Sequence, residues 1–420
     1  MGPASVLHHR RRLRHRFGHR FGTPGRAVAA VGTVLGTALI GGVLSGAAPA
    51  VAADWVPDYE APFGCGQRWE AGTRDGHSPS WYSVDFNRDD DYRAPVLMSA
   101  AGLVTSVVDT GTTSYGRYVV VDHGRGHTSV YAHLDEQWVV PGQWLDQGTV
   151  LGLLGTSGGS TGPHLHFEER LDRVVRWAYL HGAAVEYNST VTSYNCGDVP
   201  VTGDWNGDAG SDVGVYRPRL GGASVFRLRR PSGQLEKVHF GRAIDRPVTG
   251  DWNGDGRTDV GVWRQTERTF LLRSSSGATQ SIRFGGMRDV PLAGDWNGDG
   301  TSEVGVYRPG PGVVRLRAAD GSVSRFSFAG VSGLPVTGDW DGDSVTDIGF
   351  FDVRQATWTL RRSSGQLTQV DFGAIGSLPV TGDWNRDGVD DLGTWRPTAA
   401  AFALRRQASV TQLPFGRPRR

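Results

Sequence analysis

At 420 residues, with 21% charged and 38% hydrophobic residues and a formal net charge of +1, the chain is longer than one ordinary domain and apolar enough for more than one packed core. Seven arginines fall between Arg10 and Arg26, and no acid precedes Asp54, so the remainder of the chain carries a net charge near −6. That remainder has no basic surplus to neutralise phosphates, which argues against a nucleic-acid binder.

Residues 1–26 are rich in Arg and His, Ala27 to Ala50 are small and apolar, and Ala50-Val51-Ala52 offers an A-x-A cleavage site. This pattern predicts a signal peptide over residues 1–53, cleaved near Ala52, and a secreted or cell-wall protein with no stable membrane span after processing. A retained anchor is the alternative. Arg11-Arg12 leaves twin-arginine and general secretory export both open. Export suits the two cysteines, Cys65 and Cys196: in an oxidising compartment they are expected to form a disulfide, with two buried free thiols as the alternative.

From residue 54 to about residue 198, short β-like runs such as Tyr118-Val119-Val120-Val121 and Gly148 to Leu153 alternate with glycine turns, and no long helical period appears. Gly162-Pro163-His164-Leu165-His166-Phe167-Glu168 sets two histidines two apart, which on a strand aims both rings at one face. Upstream lie His133 in Tyr131-Ala132-His133-Leu134, His77 after Gly76, and Asp85 in Val84-Asp85-Phe86. Three His/Asp donors with further histidines to move protons are what a catalytic zinc centre requires.

These pieces, with YGRYVVVDHG and PGQWLDQGTVLGLLGTSG in the same order, make residues 64–169 resemble the lysostaphin-like, LytM-type zinc endopeptidases of peptidoglycan. The resemblance implies His77, Asp85 and His166 as zinc ligands and His133 and His164 as catalytic histidines, on antiparallel sheets flanking an active-site groove. One departure is that the family's first His and Asp stand four apart, whereas His77 and Asp85 stand eight apart. A looped-out insertion around Pro79-Ser80-Trp81-Tyr82 accounts for it. His123 and His127 are expected to be surface histidines of a hairpin, His181 and His239 structural, and Asp89 to Asp91 a solvated loop.

From residue 199 the phrase P-V-T-G-D-W-N-G-D recurs with its first aspartate at Asp204, Asp251, Asp295, Asp339 and Asp383, at spacings of 47, 44, 44 and 44. Four strand candidates per unit suit a propeller blade, so residues 199–420 are expected to form five repeats. Each repeat carries an alternating set of oxygen ligands: Asp204, Asn206, Asp208, Asp212; Asp251, Asn253, Asp255, Asp259; Asp295, Asn297, Asp299, Glu303; Asp339, Asp341, Asp343, Asp347; and Asp383, Asn385, Asp387, Asp391. Such a loop can wrap calcium, and metal-free Asx turns are the alternative. Ala209 and Ser344 replace the glycine of the sixth loop position, which predicts poorer turns in copies one and four.

The repeats resemble FG-GAP and VCBS-type units, which implies calcium-loaded loops and a binding or spacer role. The expected fold is thus all-β: an antiparallel metallopeptidase domain over 54–198 and a propeller-like domain of five four-stranded repeats. The expected function is a zinc metalloendopeptidase acting on peptidoglycan peptide, with the repeats contacting cell-wall polysaccharide or protein. A catalytically silent wall-binding regulator and an extracellular protease with a non-wall substrate are the alternatives.

Overall fold

The computed structural model describes residues 56–418 apart from Leu220, Ala329, Ser332 and Ala408. The expected signal peptide and its processing site lie outside the described residues. Among the described residues every regular element is a β-strand and every named pairing is antiparallel. No helix there is long and apolar enough to cross a membrane.

A nine-stranded sheet organises the first part of the chain. Its centre is the strand Leu165–Leu171, flanked by Val84–Asn87 on one side and His127–Ala132 on the other. The period of two decides what each face does. Leu165 and Phe167 point into a core with Phe86, Tyr131, Trp69 and Phe63, all fully buried, while His166 and Glu168 take the opposite face. The β-like run at Tyr118–Val121 lies in the strand Arg117–Gly124, where Val119 and Val121 are buried. Phe63 stacks on Trp69 with ring centroids 3.6 Å apart. Beside this packing Cys65 and Cys196 form a disulfide, 131 residues apart in sequence with Cα atoms 4.8 Å apart, which ties the two ends of the region together.

Two sequence expectations need correction. His123 is not a surface residue: it is buried, its Nδ1 donates to the Ala101 carbonyl at 2.8 Å, and its Nε2 lies 2.8 Å from the Ser129 hydroxyl. It falls at an inward position of a strand that runs further into the hairpin than the glycines suggest. Asp91 is buried too, accepting a hydrogen bond from the Arg88 amide, while Asp89 and Asp90 are exposed.

Residues 199–414 form five separate four-stranded antiparallel sheets, one per repeat. In the first, the strands are Val199–Gly203, Asp212–Arg217, Val225–Arg229 and Leu235–His239. Each sheet is tied to the next through its first strand and loop. Thr249 Oγ1 donates to the Thr202 carbonyl, and Thr258 N to the Asp204 carbonyl. The same bonds join the first sheet to the fifth, from Thr202 Oγ1 to the Thr381 carbonyl at 2.7 Å and from Ser211 N to the Asp383 carbonyl at 2.8 Å. Arg386 of the fifth loop also reaches Asp208 of the first at 2.6 Å.

The tryptophan of the repeated phrase packs inside its own unit. Trp205, Trp340 and Trp384 are buried, and Trp252 and Trp296 partly so. A Cβ on Gly250 would come within 2.7 Å of the Trp252 ring, so the glycine before the aspartate makes room for that indole. Asp198 accepts from Nε and Nη2 of Arg217 and from the amide of Arg417, which pins the start of the repeats to their end.

Candidate metal centre and active site

Three elements converge on the polar face of the central strand. His166 stands directly opposite Asp85 on one neighbouring strand and Ala132 on the other, so Asp85, His166 and the adjoining His133 meet through sheet register. His77 arrives from the loop that precedes the Asp85 strand. His77, Asp85 and His166, all buried, place one ligand atom each within 4.8 Å of one another. His77 Nε2 lies 3.0 Å from Asp85 Oδ1, His166 Nδ1 lies 3.1 Å from the same oxygen, and the two nitrogens are 3.2 Å apart.

The outer partners fix which ring nitrogens carry protons. Thr73 Oγ1 donates to the Trp81 carbonyl at 2.7 Å, so it can only accept from His77 Nδ1, 3.1 Å away. His166 Nε2 lies 2.9 Å from Glu168 Oε1, an oxygen that also accepts from the Tyr115 hydroxyl at 2.6 Å. Arg170 holds the other oxygen. Burial raises the Glu168 carboxyl pKa, but the bonds from His166 and Tyr115 outweigh it, leaving the pKa below its usual range. Glu168 is therefore an anion that takes the proton of His166 Nε2. Both histidines then direct lone pairs at each other and at the Asp85 carboxylate. Three acceptors at 3.0 to 3.2 Å with no proton between them repel one another unless a cation sits among them.

That donor set fits zinc. A tetrahedral ion with bonds of about 2.0–2.2 Å sets its donors about 3.3–3.6 Å apart, close to the separations here.

His133 and His164 stand over this trio, with ring centroids 4.8 Å apart. His133 Nδ1 donates to the Ser157 carbonyl at 2.8 Å and His164 Nδ1 to the Gly162 carbonyl at 2.9 Å, so each keeps Nε2 as its acceptor. His164 Nε2 is 3.7 Å from Asp85 Oδ1. Burial lowers the His133 pKa to about 4, so its ring is neutral at physiological pH. His133 also adopts φ +61°, a left-handed conformation that costs an L-residue roughly 1–2 kcal/mol. The bonds from its amide to the Tyr115 carbonyl and from its ring to Ser157 hold it there. Gly116 lets the Ser157 segment approach, since a Cβ at Gly116 would lie 2.3 Å from the Ser157 backbone.

The structure thus brings together His77, Asp85, His133, His164 and His166, and leaves out His123, His181 and His239. His181 bonds Glu60, and His239 is exposed at the end of its strand. Sequence reasoning gave no role to Thr73, Tyr115, Ser157 or Glu168. Only Glu168 had a signal, its position two residues beyond His166 on a strand. Glu168→Gln keeps an acceptor for His166 but loses the charge, so zinc affinity is expected to fall about 10- to 100-fold, measured by competition with a chromophoric chelator.

In the repeats the first aspartate of each loop accepts backbone amides of its own turn. Asp204 Oδ1 takes Asn206, Gly207 and Asp208, and Oδ2 takes Ala209. Asp251, Asp295, Asp339 and Asp383 do the same. Ala209 and Ser344 adopt φ +64° and +65°, where Gly256, Gly300 and Gly388 carry the turn in the other copies. The ninth-position acids Asp212, Asp259, Glu303 and Asp347 are buried and Asp391 is partly so. Burial, reinforced by the neighbouring loop aspartates, raises Asp212 to about 7.

A buried His/Asp trio with two further histidines beside it, on an antiparallel sheet, is an arrangement that can hold a metal ion and move protons next to it. Residues 80–176 match the model of Peptidase family M23. An uncharacterised metalloprotease of Haemophilus influenzae is 43% identical over 74 residues, 18% of this chain and 15% of that protein. The DD-carboxypeptidase/endopeptidase Mpg of Neisseria meningitidis is 40% identical over 86 residues, 20% of this chain and 19% of that protein. The peptidoglycan DD-endopeptidase ShyA of Vibrio cholerae is 40% identical over 74 residues, 18% of this chain and 17% of that protein. The chain therefore spans less than a fifth of the length of these curated relatives.

Proposed function

We propose that the chain is an exported zinc metalloendopeptidase that hydrolyses peptide bonds of bacterial peptidoglycan. In this reading residues 54–198 are the catalytic domain, and residues 199–420 are a five-bladed propeller of FG-GAP/VCBS type that positions it. The observation that carries the reading is the buried trio His77, Asp85 and His166, whose facing ligand atoms lie 3.0 to 3.2 Å apart, an arrangement that fits a zinc ion. The peptidoglycan endopeptidases among the relatives support the substrate. A catalytically silent regulator is disfavoured because no member of the donor set or of the flanking histidine pair is missing.

Zinc in this trio supplies Lewis acidity to water and to the scissile carbonyl. His133 and His164 supply the proton chemistry. Each presents Nε2 toward the trio with Nδ1 committed to a carbonyl, so one can accept the proton of the attacking water while the other, once charged, stabilises the developing oxyanion or protonates the leaving amine. The test is digestion of purified peptidoglycan beside casein, with and without zinc chelation. Amino groups released from peptidoglycan only by the zinc-loaded protein establish the reading, and casein cleavage alone redirects it to a non-wall protease.

The propeller reading is supported by the five matching sheets and by the bonds from the first to the fifth. Calcium in the loops is supported by the fourth repeat, where Asp339, Asp341 and Asp347 each place a carboxylate oxygen within 4.8 Å of the others, an oxygen cluster suited to a hard cation. The carboxyls also set a pH dependence. Asp212 titrates near 7 when folded and near the ordinary carboxylate value when unfolded, so its contribution is fully present below about pH 4 and is lost as pH rises through 7. Asp212→Asn is therefore expected to melt above the wild type at pH 8 in a calcium chelator and with it at pH 4, read by calorimetry. Millimolar calcium should raise the wild-type Tm at pH 8; an unchanged Tm removes calcium from the reading.

A further inference from the structure

The eight-residue interval between His77 and Asp85 carries more than slack. Its Trp81 and Tyr82 are 41% and 43% exposed, and they meet Trp177, 40% exposed, across the surface. Trp81 lies 5.7 Å from Trp177 and 4.9 Å from Tyr187, and Tyr82 lies 5.8 Å from Trp177, as ring centroids. A contiguous surface of this size and apolarity marks a contact site.

The surface is rigid and joined to the active site. The Tyr187 hydroxyl donates to the Tyr82 carbonyl at 2.7 Å, Thr73 to the Trp81 carbonyl, and Trp177 Nε1 to the Val185 carbonyl at 2.8 Å. Thr73 is also the partner of His77. The adjoining groove is lined by Tyr82, Trp177, Tyr179, Arg170, Arg176 and His127. Arg170 in turn holds Glu168, the partner of His166. The aromatic surface is thus joined to the trio by two routes, through Thr73 to His77 and through Arg170 and Glu168 to His166.

We infer that Trp81, Tyr82 and Trp177 form a subsite for the glycan strand of the substrate, taking N-acetylated pyranose rings. This rests on the peptidoglycan reading above. The peptide part offers small or polar side chains that would leave such wide rings uncovered. A pyranose presents a flat face of C–H bonds that fits an exposed indole, while its hydroxyl and acetamido oxygens suit the donors of Arg176 at the rim. Trp177, held by its ring N–H, and Trp81 and Tyr82, held at their backbone carbonyls, give up little conformational entropy on binding.

The test uses the zinc-loaded full chain and a chito-oligosaccharide of N-acetylglucosamine, which cannot be cleaved by a peptidase, so binding is read independently of turnover by calorimetry and tryptophan fluorescence. Trp81→Ala and Trp177→Ala are each expected to weaken binding about tenfold, with Trp177→Phe in between. On peptidoglycan the Ala variants should raise KM more than they lower kcat, and the loss should exceed that on a soluble stem peptide. Oligosaccharide binding without any peptidoglycan cleavage would keep the subsite and remove the peptidase reading. No oligosaccharide binding by wild type, or equal losses on peptidoglycan and stem peptide together with lost zinc, overturns the subsite. So does self-association of the chain that vanishes in the same variants without oligosaccharide binding, which would make the surface a dimer contact.

Discussion

His166→Ala is expected to bring peptidoglycan hydrolysis to background and to weaken zinc binding by more than the roughly 100-fold that losing an outer partner can cost. His166 touches His77, Asp85 and Glu168 at once. Its removal takes away one of three donors, and it also leaves Glu168, fully buried, without the proton it now accepts. The remaining His77 and Asp85 form a two-donor site, too few for a catalytic zinc centre. Zinc content of the purified variant and amino-group release from peptidoglycan check this together. His239→Ala, at an exposed strand end in the repeats, should match the wild type in both. A His166→Ala protein that keeps stoichiometric zinc would remove His166 from the ligand set.

His133→Ala should separate chemistry from metal. His133 is aimed at the trio but is bonded to Ser157 and Tyr115 and not to the donors. Zinc affinity should therefore change little, while kcat falls about 10²- to 10⁴-fold, the usual contribution of one positioned proton-transfer group. Single-turnover hydrolysis of a stem peptide by the zinc-loaded variant reads this directly. The same fall with His164→Ala, and no larger fall in the double variant, would mean that the two histidines act as one unit. Undiminished kcat in His133→Ala would assign the proton transfer to His164.

How much of this was legible beforehand follows from the range of each interaction. The sequence by itself determined the all-β class, the five repeats with four strands each, and the facing of His164 and His166. Those depend on a period of two along a strand or on a motif repeated in sequence, both local properties. It also singled out Asp85, His77 and His133, through a resemblance and not through geometry.

Only the tertiary structure decided the rest. Sequence spacing could not say that two residues eight positions apart still meet with His77 Nε2 3.0 Å from Asp85, because the approach is set by the Thr73 bond and the neighbouring strand. It could not reveal that Thr73 and Glu168 choose the tautomers of His77 and His166, since hydrogen-bond partners distant in the chain leave no periodic trace. It misplaced His123, which is buried because the strand continues past the point where glycines suggest a turn. The bonds that join the first repeat to the fifth span 179 residues between Thr202 and Thr381. A period in the sequence fixes what each unit is; whether the last unit meets the first depends on the small rotation accumulated from sheet to sheet, which only packing sets.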